Sequence, residues 1–588
     1  MELFSDNAKN LAFFHHKMKR DLFDVVSYQT LLNQADKHSD FYRFAMNDVN
    51  ENPELDLELP MQDLWLQRLK LLLNTPSIDQ QNSNQLKQVY RDLTHDLALS
   101  DSQQIIFSQL AQSKALFATI TGQAGSGKSY LTAQLIKHLV TNQLQTAVLT
   151  PTHVASTNIN QLIDQAREVR FDQDMTANKL QAADRSDMIS VSTLTSWMFR
   201  MAADSMEIAQ HGQLTNNDQR TAPQYDLIVI DEAFAANAIG LLDVFLFALL
   251  TSTPVILIGD PHQLSAIQNP PQPLFDLLRQ AKVLFDTDQL QLVQRTNSDE
   301  IIHFSRAILN NNLNDYKEHY FLPNLTLPPA ALLATSDFDT EVNLEHYLSQ
   351  TFMINSKDHG LDSIILVPTN EKRRQLAEQI QSQYLNQDPQ VEYLTLSGEH
   401  MITMHVGDIM MIMESQLVHD WTSGHPSKET LHLRGATRIE ILDLFPNDEN
   451  GEPVNRVAFD TITPTTYAYK IQIRVPDLDN QKIIVDLMER SSSGFNPGMY
   501  SPDVHELYRD LELGYVATVN KVQGLTIDHV YFYLDRDYPH LNRNLIYSGI
   551  TRARQSIQLI VDPQLLRNTL EKNSRKNAEQ QAITIKEP

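Results

Sequence analysis

The sequence predicts an α/β protein: two tandem parallel sheets covered by helices, a small β-barrel inserted into the second, and a helical domain in front. Three observations lead there. From Leu99 onward, apolar β-rich runs alternate with amphipathic stretches: Leu116–Thr121, Ser129–Val140, Ala147–Thr150, Leu227–Ile230 and Val255–Ile258. Strands buried on both faces by crossover helices read this way. A second such series begins near Leu292 and includes Ile364–Val367, followed by the helical Glu371–Gln383. Between about His405 and Asp510 the texture changes to short strands. HVGDIMMIMES, ATRIEILDLF, YAYKIQIRV and KIIVDLME are divided by the turn-formers DENGEP, PDLDN and SSSGFNPG. The sheet pattern resumes at Gly514–Thr518 and closes at Ser556–Val561.

Bulk properties bound the function. At 588 residues the chain exceeds one ordinary core. Its 42% hydrophobic and 20% charged residues are those of a soluble globular protein. No apolar run reaches the ~18–20 residues that a bilayer requires. The first residues, MELFSDNAKNLAFFHHKMKRDLFDV, lack the apolar stretch of a signal peptide. The absence of cysteine excludes disulfides, thiol catalysis and Cys-ligated zinc or iron–sulfur centres. A cytoplasmic enzyme without membrane contact is expected. A net charge of −26 argues against coating nucleic acid by bulk electrostatics. It leaves room for a protein that grips one strand through amides, hydroxyls and stacking side chains.

Gly122-Gln-Ala-Gly125-Ser-Gly127-Lys128-Ser129 follows a strand and opens a helix. Glycines at that spacing let backbone N–H groups wrap a phosphate, and the helix N-terminus adds positive potential. Lys128 is placed to reach the β/γ oxygens of ATP and Ser129 to ligate Mg²⁺. A chance glycine-rich turn is the competing reading, and the strand–loop–helix setting disfavours it. Asp226–Ala233 (DLIVIDEA) is an apolar strand ending in two carboxylates. Asp231 is assigned to the metal and Glu232 to general base, against the alternative of a solvated acidic turn. Gln103, one helix before the glycine loop, either bonds adenine through its amide or belongs to an ordinary helix start capped by Ser100.

Further motifs follow in order: Gly259-Asp-Pro-His-Gln263-Leu, Gln294-Arg295, GYVATVNKVQGLTIDHV (Gly514–Val530) and LIYSGITRARQSIQLI (Leu545–Ile560). The set resembles superfamily 1 DNA helicases, in detail the RecD-like branch of superfamily 1B and the phage Dda type. Thr150-Pro-Thr152-His153, His405–Ser415 and the Tyr547…Arg552 block carry the finer match. The resemblance covers about residues 98 to 562. It implies two RecA-like P-loop NTPase domains, at 98–290 and at 291–404 with 511–562. An SH3-like insertion then occupies 405–510, a helical accessory domain 1–97 and a polar tail 563–588. A duplex-splitting β-hairpin falls at about 200–224, where Asn216-Asn217-Asp218 suits a tip and no aromatic stands in Met206–Pro223.

By resemblance, Gln263 senses the γ-phosphate, and Arg295 and Arg552 act as arginine fingers from the second motor domain, where a guanidinium fork suits a phosphoryl group. The strand track includes Thr152, His153, Thr193, Thr369, Asn370, Thr518 and Lys521. Asn520 stands where relatives carry His, and Val522 where they carry a small residue. The resemblance implies an ATP- and Mg²⁺-dependent DNA helicase that moves 5′→3′ on single strands and acts at single-strand/duplex junctions. The acidic, Leu-rich front, with five carboxylates and no base in Asn47–Pro60, suits either a protein-binding module or a stabilising cap. Rival readings are an RNA helicase of the same superfamily and a motor or switch subunit of a larger repair or defence complex. A P-loop kinase or GTPase leaves Arg295, Arg552 and the second α/β half unexplained.

Overall fold

The structure is a computed structural model. It describes residues 61–74, 84–152, 155–156, 159–160, 163, 189–197, 225–266, 270–290, 298–312, 328–338, 344–350, 361–384, 393–397, 400–412, 416–423, 427–428, 430–433, 435–446, 468–476, 480–488, 507–508 and 511–571. His153, Arg295, the hairpin segment Met206–Pro223, residues 1–60 and most of the polar tail lie outside the described residues. Contacts divide the chain into two compact units, Met1–Arg295 and Thr296–Pro588.

The first unit is built on a six-stranded, wholly parallel sheet. Its strands are β1 (Phe117–Thr121), β2 (Thr146–Thr150), β3 (Ile189–Thr193), β4 (Leu227–Ile230), β5 (Val255–Gly259) and β6 (Leu284–Asp286), in the order β3-β2-β4-β5-β1-β6. Alternation along each strand sends side chains to opposite faces. Phe117, Leu149, Ile228, Ile230 and Leu257 enter one core, and Ile120, Val148, Val229, Ile256 and Ile258 the other. Both faces being dry is why these strands read as continuous apolar runs.

Helices cover the two faces. α1 (Met61–Asn74), α2 (Asn84–Leu93), α3 (Asp101–Gln112), α4 (Lys128–Thr141), α5 (Ala238–Thr251) and α6 (Gln272–Gln280) are the described ones. α5, AIGLLDVFLFALLT, is apolar on nearly every side because the sheet lies on one flank and α1 packs on the helix. Phe245 meets Phe117 edge-on at 5.1 Å. α2 packs through Leu86, Val89, Tyr90 and Leu93 against α3 and α4 on the other face. The described helices before residue 97 are therefore continuous with the core of the first unit.

The second unit carries a five-stranded parallel sheet, β7 (Ala330–Ala334), β8 (Ser363–Val367), β19 (Val516–Thr518), β20 (Ile527–Leu534) and β21 (Ala553–Val561), ordered β19-β8-β20-β21-β7. α7 (Asp299–Leu309), α8 (Asn370–Tyr384) and α9 (Arg543–Ile550) accompany it. The expectation of parallel sheets in both halves is met. β9 (Tyr393–Ser397) and β10 (His400–Met404) form a hairpin, as do β12 (Gln416–His419) and β13 (Thr430–Leu433). The described strands of the insertion pair in a sheet ordered β17-β16-β15-β14-β11-β18. These strands are β11 (Ile409–Ile412), β14 (Arg438–Pro446), β15 (Ala468–Val475), β16 (Gln481–Met488), β17 (Leu507–Tyr508) and β18 (Leu511–Leu513). All pair antiparallel except β16 with β17.

The insertion shares a core with its host. Ile365, Val367, Tyr531 and Ile560 of the parallel sheet pack in one cluster with Ile409, Ile439, Ile473 and Val485. A fully buried carboxylate, Asp408, joins the parts. It accepts from the Tyr515 hydroxyl (2.7 Å), the Gln381 amide of α8 (2.7 Å) and the His405 backbone N–H (2.7 Å). At Gly514 the chain passes between the two sheets, and a Cβ there would lie 2.9 Å from the Met410 carbonyl carbon. Buried Arg373 of α8 pairs with Glu512 of β18, and Lys372 with Glu345 at 2.9 Å.

Asp408→Ala strands three donors in a dry interior, at about 1–3 kcal/mol each before relaxation. The variant is expected to lower the unfolding free energy by ~3 kcal/mol or more in urea titrations followed by circular dichroism. An unchanged midpoint contradicts the role given to this carboxylate.

Candidate functional site

The site in the first unit forms where parallel strands end together, the edge at which α/β sheets bind ligands. β1 and β5 run in register up to Thr121 opposite Gly259, and the Gly122 N–H donates to the Gly259 carbonyl (3.2 Å). Neither glycine can be replaced cheaply. A Cβ on Gly122 would lie 2.4 Å from Ser126 Oγ and 2.8 Å from Leu290 Cβ. One on Gly259 would meet Phe234 Cδ2 at 2.8 Å and the Ala233 nitrogen at 3.3 Å. The glycine loop is thus pressed against β5, and the acidic turn after β4 is pressed against the same strand.

Gly125 and Gly127 hold left-handed backbone, with φ of 79° and 80°, and Gly127 is the N-cap of α4. Lys128 folds back into the loop. Its Nζ donates to the Gly122 and Gln123 carbonyls, both at 2.9 Å, and the side chain is buried. Ser129 beside it is half-buried. Gln103 is also buried; its Oε1 accepts from the Ser100 N–H (3.0 Å) and its Nε2 donates to the Gly127 carbonyl (3.4 Å). The amide assigned to adenine therefore closes a capping box at the start of α3 and touches the phosphate loop.

β4 delivers Asp231 and Glu232. The Asp231 N–H donates to the Leu149 carbonyl of β2 (2.9 Å), while Glu232 takes a left-handed conformation (φ 54°) that starts a tight turn. Asp231 is 3% exposed, and its Oδ1 meets no hydrogen-bond partner among the described residues. Burial, with the Glu232 charge beside it, pushes its pKa up to about 7, although Lys128 pulls the other way. An orphaned carboxylate oxygen, an ammonium and a loop shaped by glycine fit a magnesium nucleotide. Asp231 and Ser129 would hold the metal, and Lys128 with the Gly122–Gly127 loop the phosphates. Gln263 and Asp260 are buried just beyond β5; the Asp260 carboxylate accepts from the His262 N–H (2.9 Å), and the Gln263 N–H donates to the Asp260 carbonyl (3.2 Å).

The described residues assigned to a strand track lie at or just past the ends of strands. Thr152 is exposed past β2, and its hydroxyl accepts from the Ala155 N–H (3.3 Å). Thr193, ending β3, is buried and accepts from the Ser196 N–H (3.1 Å). In the second unit, Thr369 caps α8 by accepting from the Lys372 N–H (3.3 Å), next to exposed Asn370. Half-buried Thr518 ends β19, and its carbonyl accepts from the Lys521 N–H (3.0 Å).

Arg552 is 1% exposed. Its Nε donates to the Ser548 carbonyl of α9 (3.1 Å), and a terminal nitrogen to the Leu525 carbonyl (3.4 Å). Two features were missed in the sequence. A cavity of about 520 Å³, lined by Phe338, Lys372, Tyr533 and Arg536 among others, lies in the second unit and not at the glycine loop. The second is the run Arg536–His540, where a cation and aromatic rings follow a strand end; that spacing was the available signal.

Residues 98–322 match the family model described as an AAA domain, and 513–560 that of the UvrD-like helicase C-terminal domain. No curated protein matches the chain. Among solved structures, Pif1 helicase from Bacteroides, in complex with ADP-AlF3 and ssDNA, is similar with a TM-score of 0.42 and 16% identity, over 83% of this chain and 98% of that one. Pif1 helicase from Candida albicans gives 0.42 and 14%, over 82% and 99%. Arterivirus nonstructural protein 10, a helicase in complex with DNA, gives 0.31 and 12%, over 77% and 63%.

The Asp231 pKa fixes a pH dependence. The folded state holds a proton that the unfolded chain, near 3.8, has already released. That contribution to stability is complete below the unfolded value and is lost as pH rises towards about 7. Asp231→Asn should therefore stabilise the nucleotide-free chain at pH 8 by about 2–4 kcal/mol and by nothing near pH 4. Thermal unfolding of both proteins across that range checks it. A gap that does not narrow on acidification contradicts the assignment.

Proposed function

We propose that the chain is an ATP-dependent DNA helicase of superfamily 1B, RecD-like in branch, which translocates 5′→3′ on single-stranded DNA and separates duplexes. The observation that carries this reading is the grouping of Lys128, Asp231 and Glu232 at one sheet edge, with a buried Asp231 oxygen that meets no hydrogen-bond partner among the described residues. The ordered motifs of the second unit and the match of 513–560 to a helicase C-terminal domain support a motor over a kinase or GTPase.

Bound magnesium ATP supplies the phosphoryl group and the free energy of its transfer to water. The chain's own groups do the rest. Lys128 exchanges its carbonyl partners for phosphate oxygens and neutralises charge on them. Asp231 would hold the magnesium ion, whose charge would favour the ionised carboxylate against the burial that raises its pKa. Glu232, set in a left-handed turn at the end of β4, accepts the proton of the attacking water. Gln263 reports the state of the terminal phosphate. Arg295 and Arg552 are assigned the clamping of the phosphoryl group by resemblance, and Thr152, His153, Thr193, Thr369, Asn370, Thr518 and Lys521 the strand contacts. The SH3-like insertion, the hairpin wedge and a protein partner for residues 1–97 belong to the same proposal.

Lys128→Ala is expected to lower strand-stimulated ATP turnover about 10²-fold or more while strand binding persists. Glu232→Gln should bind ATP with turnover reduced about 10²–10⁴-fold. Strand displacement on duplexes with a 5′ or a 3′ tail, each in DNA and in RNA, tests polarity and substrate together. Unwinding only from 5′-tailed DNA is expected. Unwinding confined to RNA favours the rival RNA helicase, and ATP turnover indifferent to any strand sinks the proposal.

A further inference from the structure

Three side chains stack beyond the end of β20. The loop Asp535–Asn542 leaves the sheet at the edge where β8 delivers Thr369 and β19 delivers Thr518, since all three strands are parallel neighbours. In it, the Arg536 guanidinium lies over the Tyr538 ring at 5.2 Å. The Tyr538 and His540 rings stack with centroids 5.9 Å apart and planes 30° from parallel. Arg536 and His540 are exposed, while Tyr538 between them is 8% exposed.

The stack is held rigidly. Tyr538 donates its hydroxyl to Asp535 Oδ1 (2.6 Å), and Thr369 bonds to the same phenol. His540 Nε2 lies 3.3 Å from the Pro368 carbonyl, to which it donates in the Nε2–H tautomer. The ladder is thereby bound to the turn that caps α8, where Thr369 and Asn370 already stand as strand contacts.

We propose that this Arg536–Tyr538–His540 ladder is a base-stacking platform of the strand track, with His540 as the rung that receives a base; the inference rests on the helicase reading above. Its chemistry fits the ligand. Every nucleobase presents a π-face, so stacking on an imidazole is indifferent to sequence. The tyrosine beside it supports the ring, and the Arg536 guanidinium, paired with Asp535 and Glu371, adds a cation–π contact to that tyrosine. A net charge of −26 leaves the chain dependent on such local contacts. Fixing the rung to Pro368 places a stacked base beside the hydroxyl and amide groups suited to its phosphate.

The test measures binding of a fluorescent single-stranded DNA of about 16 nucleotides, intact or with one abasic position moved along it. Alanine replacement at a stacking rung weakens binding by about 1–3 kcal/mol per base, so His540→Ala is expected to raise the Kd of the intact strand about 5- to 150-fold. His540→Phe, which keeps a flat ring, should restore it. One abasic position should weaken wild-type binding by the same factor and leave His540→Ala indifferent. Equal affinity of wild type and His540→Ala, or a variant whose loss is the same with and without that base, overturns the platform. A wild-type chain that binds no strand overturns the helicase reading itself, which keeps the two failures distinct. Thermal midpoints report folding, and Arg536→Gln, on an exposed side chain, gives a second, milder loss of about 2- to 5-fold through the weakened cation–π contact.

Discussion

The architecture of the first unit depends on how closely β1 and β5 end together. With Gly122 bonded to Gly259 and no room for a side chain at either position, the phosphate loop and the acidic turn share one backbone wall. Lys128 comes close enough to Asp231 to oppose its rise in pKa. Electrostatics follow from that packing. A carboxylate forced out of water beside a second acid is costly in isolation, and the proposed cation site gives that cost a purpose. Stability is set aside at the position where a cation would recover it.

In the second unit the same principle serves cohesion. Arg552 is spent on backbone carbonyls of α9 and of the turn after Thr518. One guanidinium thus holds two motifs to which the proposed function gives different tasks. Asp408 does the like for the insertion, drawing α8, the turn before β11 and Tyr515 onto one carboxylate. Hydrogen bonds to a buried charge keep these parts in a single arrangement, which apolar packing alone would specify less sharply.

Much of this was legible in the sequence because the physics is local. Strands buried on both faces leave uninterrupted apolar runs, so β1, β2, β4, β5 and β8 lie where Leu116–Thr121, Ala147–Thr150, Leu227–Ile230, Val255–Ile258 and Ile364–Val367 announce them. The glycine loop carries its own spacing. What escaped depends on distant partners. Leu64–Leu73 reads as an amphipathic helix, but nothing in it says that α5 is the surface it covers. Leu511–Leu513 lies only two residues before the strand Val516–Thr518, yet it joins the inserted sheet, because the change of sheet occurs at Gly514. Gln103 looks like a ligand-binding amide, and only the folded chain shows Ser100 and Gly127 occupying it. The spacing of Arg536, Tyr538 and His540 could have been noticed, but only the folded turn shows that their side chains meet.

The bond from Tyr515 to Asp408 joins residues 107 apart in the chain, and β8 pairs with β19 and β20 only after the whole insertion has been passed. A nascent chain emerging from the ribosome therefore presents β8 and α8 long before their sheet neighbours exist. Contacts of such sequence separation form slowly, and unpaired strand edges invite association with other chains in the meantime. During that interval the second unit is an aggregation hazard, and its yield in a cell should respond to chaperone supply and translation speed.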